Sequence, residues 1–174
     1  MHETGTKLLE SKLLGLLEKF PDAILDAVEE RGDLTLRVDP KRIRDVVYFL
    51  KNAPALRFDL MADLFAMDYQ TFVPVQPERF AVIYNLASLF QKGRVFLKCF
   101  LPEGNPEIDS IYDLYAAANW FEREAYDLYG ISFRGHPHLV RILCHQDFEG
   151  HALRKDYPST QYQRLKSATV SAEV

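Results

Sequence analysis

Cysteine is nearly absent from this chain: Cys99 and Cys144 are the only two thiols among 174 residues. Two thiols cannot ligate a cubane iron–sulfur cluster or build a disulfide framework, so both are read as reduced cysteines of a cytosolic protein. Long hydrophobic runs are missing too. No stretch reaches the roughly eighteen apolar residues that a membrane-spanning helix needs. The opening residues, MHETGTKLLESKLL, lack the basic, apolar and small-residue regions of a signal peptide. There is little excess of charge, with 21 basic against 25 acidic side chains, which argues against a nucleic-acid partner. No GxGxxG follows a strand, so no dinucleotide fold is indicated. Internal repeats and low-complexity tracts are absent as well.

What is present reads as an α+β protein: a small, mostly antiparallel sheet packed with helices, followed by an extended C-terminal docking arm. Leu9, Leu13, Leu16, Leu17 and Phe20 share one helical stripe that Pro21 ends. Strands are expected near 23–30 and 34–38 around Arg31-Gly32-Asp33, although the first of them could be helical. Asp39-Pro40 is a helix start, with Ile43, Val46, Val47 and Leu50 on the buried face. A buried strand is expected within 58–68. RFAVIYNLASLF and RVFLKCFLP then form a hairpin through Gln91-Lys92-Gly93, with Val95, Leu97, Cys99 and Leu101 facing one way. A helix capped by Ser110 follows, broken near a second cap formed by Asn119 and Glu122, and ending at Tyr129 before Gly130. Phe121, Ala125 and Leu128 are expected on its inner face, and Arg123 with Asp127 as an outer i,i+4 pair. The boundaries drawn are 1–130 for the domain and 131–174 for the arm. Residues 131–174 hold 6 basic and 4 acidic side chains, against 15 and 21 before them, so a basic arm follows an acidic body.

Residues 119–158 concentrate the chemistry. They hold four of the five histidines, the single tryptophan and Cys144. His136, His138, Cys144, His145 and His151 match no zinc-module spacing. The glycines of GISFRGHP resemble a phosphate loop, but His and Pro stand where Lys and Ser/Thr are required. Glu122, Glu124 and Asp127 fan over different helix faces and read as solvated or partner-facing charge rather than acid/base machinery. Cys144 and His145 are sequence neighbours, which rarely gives nucleophile–base geometry. Aromatics interleaved with arginine are instead the composition of an interface.

The string EREAYDLYGISFRGHPHLVRIL, followed by DFEGHALRKDYP, resembles the C-type (30 kDa-type) subunit of NADH-quinone oxidoreductase, respiratory complex I. Glu122, Arg123, Glu124, Asp127, Gly130, Gly135, His136, Pro137, Arg141, Gly150, His151, Leu153, Arg154, Lys155, Asp156, Tyr157 and Pro158 match the family pattern. Ala152 departs from its usual proline. Weaker likeness extends to AANW at 117–120, the strand pair at 80–101 and FDLMADLFAMDY at 58–69. The resemblance implies a non-catalytic assembly subunit of the peripheral arm of a proton-translocating enzyme, on the cytoplasmic side of the bacterial inner membrane. It implies no cofactor on this chain, while the whole complex uses NADH, FMN, iron–sulfur clusters and quinone. The C-terminal arm is expected to wrap the D-type subunit, which forms much of the quinone site, with the B-type and I-type subunits nearby. Partner contacts are assigned to Trp120, Glu122, Arg123, Glu124, Asp127, His136, Pro137, Arg141, His151, Arg154, Lys155, Asp156 and Tyr157. Related subunits of membrane-bound hydrogenases, F420-type dehydrogenases and ferredoxin-linked complexes are the near alternatives. An independent metal- or thiol-dependent enzyme using the histidine-rich arm is the alternative of a different class.

Overall fold

A computed structural model describes residues 15–16, 18–160 and 163. Of the N-terminal stripe, Leu9, Leu13 and Leu17 lie outside the described residues. Leu16 is fully buried, and its carbonyl accepts the Phe20 N–H.

Strands β1 (Ile24–Glu30) and β2 (Asp33–Val38) form an antiparallel hairpin turned by Arg31 and Gly32, both at positive φ. Asp39 then caps a 3-10 turn over Pro40–Arg42, accepting the Lys41 N–H at 2.9 Å, and helix α1 (Ile43–Asn52) continues from it. Proline fixes the first φ while aspartate supplies the acceptor, as that pairing dictates. Strand β3 (Leu60–Asp68) leads to the hairpin of β4 (Phe80–Ser88) and β5 (Gly93–Leu101). The sheet order is β1-β2-β5-β4-β3; only the β2–β5 pair is parallel. The α+β fold with a mostly antiparallel sheet is therefore as the sequence predicts.

One face of this sheet makes the core. Val82, Tyr84 and Leu86 of β4 and Val95, Leu97 and Cys99 of β5 meet Ile43, Val46, Val47 and Leu50 of α1, all with no exposed surface. Burial pushes the Cys99 thiol well above its ordinary pKa, so it is an inert core residue.

The region after β5 departs from expectation. A second sheet appears, in which β6 (Glu107–Asp109) pairs in parallel with β7 (Ser132–Arg134). Residues 110–117 make turns rather than a helix, and helix α2 runs only from Ala118 to Tyr129. The reason lies in where the backbone carbonyls go. Arg44 takes the Ser110 carbonyl, Lys51 takes that of Leu114, and Tyr115 is anchored by donating to the Phe58 carbonyl. These long-range bonds fix 110–115 in turns against the body, and the helix starts only after them. Ser110 Oγ accepts the Tyr112 N–H at 3.3 Å as a cap would, but over a turn, and donates its hydroxyl to Glu122; the cap expected at Asn119 does not form, since α2 starts after Ala117 without a side-chain cap. Gly130 does end α2, at φ 72°.

Candidate functional site

The last turn of an α-helix leaves carbonyls without partners and carries a partial negative charge. At the end of α2 the segment that follows supplies those partners. Arg141 Nη1 and His151 Nδ1 both bond the Asp127 carbonyl, at 3.1 and 2.9 Å. Leu153 N–H donates to Leu128 O at 3.1 Å, and Arg154 Nε donates to Tyr129 O at 2.7 Å. Side chains of the C-terminal segment thus close the helix end that Gly130 turns away from. The approach is tight. A Cβ built on Gly130 would run into His151 Nε2 and Arg154 Nη2, and its positive φ strains any other residue there.

The Asp127 carboxylate is the second anchor. It is fully buried, not on the outer face as the sequence suggests. Oδ1 accepts Arg141 Nη1 at 2.7 Å, and Oδ2 accepts the N–H groups of Ile142, Leu143 and Cys144 at 3.0, 2.8 and 2.8 Å. Burial alone would raise its pKa; these donors more than offset that and hold it at about 2. Arg141 also reaches the carbonyls of Phe148 and Gly150 at 2.8 and 2.9 Å. Arg123 is not the partner of Asp127: it donates to the carbonyls of Val140 and Arg141, both at 3.0 Å. The expected i,i+4 pair is absent because the loop brings its own arginine and its own N–H groups to the carboxylate.

Glu122 is buried elsewhere on the helix, again contrary to a solvated reading. It accepts Ser110 Oγ–H and the Ile111 N–H, the latter at 2.8 Å. Burial drives its pKa up to about 7, against the pull of those two donors. Of the three carboxylates, only Glu124 faces solvent.

A third anchor joins the segment to the sheet, and the sequence gives no warning of it. Arg79 grips the buried Asp68 through two nitrogens, at 3.1 and 2.9 Å, and also holds Asp156 at 2.9 Å and Glu103. Lys155 contributes its backbone N–H to Asp68 Oδ2 at 2.9 Å, while the residue itself is exposed. Arg79 and Arg154 both lie against the Phe80 ring, at 4.8 and 5.0 Å from its centroid. Burial raises the Asp68 pKa, but Arg79 and the backbone donors more than reverse this. Asp68 lies 87 residues from Lys155, so no local spacing could signal the pair.

His136 and His151 are structural in geometry, whereas both ring nitrogens of His145 are closed off from solvent without a hydrogen-bond partner among the described residues. His138 N–H donates to His136 Nδ1 at 3.1 Å, which leaves Nε2 to donate to Asn119 O at 3.0 Å. Burial lowers the pKa of both His136 and His151. Tyr157 stacks on Phe148, with ring centroids 5.7 Å apart. Among the described residues, no group of three or more His, Cys, Asp or Glu is placed to hold a metal ion, and no helix is long and apolar enough to cross a membrane. Pro137 is exposed, and Trp120 is 70% exposed. The tryptophan lines a groove of about 580 Å³ together with Ala116, Ala117, Phe121, Glu124, Ile142 and Leu143.

The model of the family described as respiratory-chain NADH dehydrogenase, 30 Kd subunit, matches residues 36–163. A protein of Roseiflexus sp. (strain RS-1), named as the C-type subunit of NADH-quinone oxidoreductase, is 47% identical over 139 residues, 80% of this chain and 78% of that one. Among solved structures, a trypsin-resistant fragment of Nqo5 superposes with a TM-score of 0.66 at 34% identity, covering 76% of this chain and 99% of the fragment. A chain of a membrane-bound sulfane sulfur reductase, an archaeal respiratory membrane complex, gives a TM-score of 0.71 over 92% of this chain and 98% of its own. At 22% identity that second likeness shows the fold alone.

Proposed function

This chain belongs to the family of 30 kDa subunits of respiratory-chain NADH dehydrogenases, and from that premise we propose that it is a non-catalytic assembly subunit of a proton-translocating NADH-quinone oxidoreductase. In this reading it sits in the peripheral arm, on the cytoplasmic side of the bacterial inner membrane. Its α2 surface and C-terminal segment dock on the D-type, quinone-site subunit, with the B-type and I-type subunits as further neighbours. NADH, FMN, the iron–sulfur clusters and quinone are handled by other subunits, and this chain holds none of them.

The observation that carries the reading is what the charged motif is used for. Glu122, Arg123, Asp127, Arg141, His151, Arg154 and Asp156 are consumed in holding the chain to itself. Among the described residues, these charges bond to one another and to backbone groups rather than converging on a cavity, as acid/base machinery requires. Their effect is to present Trp120, Glu124, Ile142 and Leu143 on one surface, an aromatic anchor beside apolar neighbours with a polar rim. Pro137 and Lys155 are exposed elsewhere on the segment, and Tyr157 is half-buried. The trypsin resistance of the Nqo5 fragment supports a body that is stable in its own right.

Capture of the quinone-site subunit by the full chain tests the docking. Trp120→Asp places a charge at the centre of the groove and is expected to weaken capture by about tenfold or more, since hot-spot aromatics are worth about 2 kcal/mol or more. Unchanged capture by Trp120→Asp, with the fold intact by circular dichroism, moves the interface elsewhere. One equivalent of iron or zinc surviving chelation of the isolated chain contradicts the non-catalytic reading.

A further inference from the structure

The second face of the five-stranded sheet has no layer upon it among the described residues, yet it is not built for water. Tyr69, Ala81 and Ile83 are buried there by packing with Met67, Phe96 and Phe100, while Phe65 is left 38% exposed. The parallel β2–β5 ladder runs through the middle of this sheet, pairing Thr35 with Phe96.

Polar groups on the same face are also left incomplete. Arg37 Nε and Asn85 Oδ1 are closed off from solvent but have no hydrogen-bond partner among the described residues. Buried polar atoms are normally paired. Lys98 rests its ammonium 4.7 Å above the rings of both Tyr69 and Phe100, and no carboxylate lies within ion-pairing distance of it or of Arg37 among the described residues. Nearby, Glu30 lines the larger depression with Lys98 and Asp63 stands opposite Asn85 in the β3–β4 register, neither of them ion-paired to Lys98 or Arg37. Asp33 holds Arg94, and Asp26, next to Arg37 in the β1–β2 register, accepts the Ala27 N–H. Two depressions, of about 460 and 280 Å³, share Thr35 and Lys98 in their lining.

We propose that this open sheet face is a second docking surface, and that its occupant is an amphipathic helix of a partner subunit carrying acidic side chains opposite Arg37 and Lys98. The inference rests on the reading of the chain as an assembly subunit, but it uses a surface separate from the Trp120 groove. Two depressions that share Thr35 and Lys98 in their lining suit an elongated occupant, and helices are the usual cover for a sheet face. The apolar side of such a helix buries Phe65, Ile83 and Phe96; its carboxylates give the two cations the partners they lack. A second copy of this chain suits the face less well. A two-fold contact sets the centre of a patch against itself, which brings Lys98 toward Lys98.

Site-specific photo-crosslinking in the assembled membrane complex tests this, with p-benzoylphenylalanine in place of Thr35 on the sheet face and, separately, in place of Trp120. The Thr35 probe is expected to yield a product with a peptide of another subunit that has acidic residues at helical spacing. Lys98→Glu should lower its yield by about tenfold or more, in line with the coupling of close interfacial charge pairs. Reversing the charge of the captured acid to lysine should restore it. A thermal midpoint unchanged by Lys98→Glu shows the fold is intact; if it falls, Lys98→Gln takes its place with the same readout. A product within the chain's own termini, a product with a second copy, or no product at Thr35 overturns the proposal. If Trp120 crosslinks while Thr35 does not, the sheet-face inference fails and the proposed function stands; the reverse result fails the Trp120 groove alone.

Discussion

On the sheet side of α2, the chain is held by apolar surface: Val82, Leu86, Val95 and Leu97 lie against α1, and the Tyr84 hydroxyl buried among them has no hydrogen-bond partner among the described residues. On the other side, residues 135–158 contribute only Leu139 to that core. They are held by Asp127, Arg141, His151, Arg154 and the Asp68–Arg79 pair instead. Apolar burial is non-directional and tolerates approximate fits. A buried carboxylate that accepts three backbone N–H groups and one guanidinium tolerates almost none, and it fixes a loop without regular structure in one place. The difference explains how a segment with so little secondary structure presents a defined surface.

The sharpest way to break the comparison is a pair of truncations. Arg141→Ala strands a buried carboxylate and should cost about 3–5 kcal/mol, felt mainly as loss of amide-exchange protection over 136–158. Leu97→Ala in the sheet should cost about 2–5 kcal/mol, but spread over the whole core. Equal loss of protection in both regions from either variant contradicts the division. Gly130→Ala comes next. It combines a positive φ with a Cβ in contact with His151 and Arg154, and is expected to cost about 1–3 kcal/mol while leaving the β4–β5 hairpin protected. Limited proteolysis mapped by mass spectrometry checks which side opens.

A smaller effect separates the regions by pH. Asp127 has a folded pKa of about 2, below its ordinary 3.8, so its stabilisation is present above 3.8 and is lost as pH falls toward 2. Glu122 has a folded pKa of about 7, above its ordinary 4.5, so its contribution is full below 4.5 and fades as pH rises through 7. Acid should therefore release the C-terminal segment first, and mild alkali should loosen the Glu122–Ser110 brace. Glu122→Gln is expected to flatten the stability profile between pH 5 and 8; a profile of unchanged slope assigns that dependence to another group.

Much of the sheet side is legible in the sequence because its signals are local. Asp39-Pro40 caps within three residues, the hairpins pair neighbours, and alternation along Val95, Leu97, Cys99 and Leu101 marks one face. Helix α2 is legible by its C-terminal glycine, but its start is not, because distant side chains take carbonyls within 110–115. Strands β6 and β7 have three residues each and pair in parallel across more than twenty positions, too short and too distant to leave a pattern. The motif residues stand out as a group, yet spacing alone makes Glu122 and Asp127 look like outward charge. Their partners are mostly backbone N–H groups, which carry no residue signature, and Asp68 and Arg79 are far from the motif in the chain.

The most direct test of the claim that these charges serve assembly is Arg141→Ala in the intact complex, followed on native gels beside NADH-dependent quinone reduction by the same membranes. Less assembled complex is expected, with near-normal turnover for each complex that forms. Full assembly with lost turnover would contradict the claim, and would give Arg141 a direct part in the chemistry.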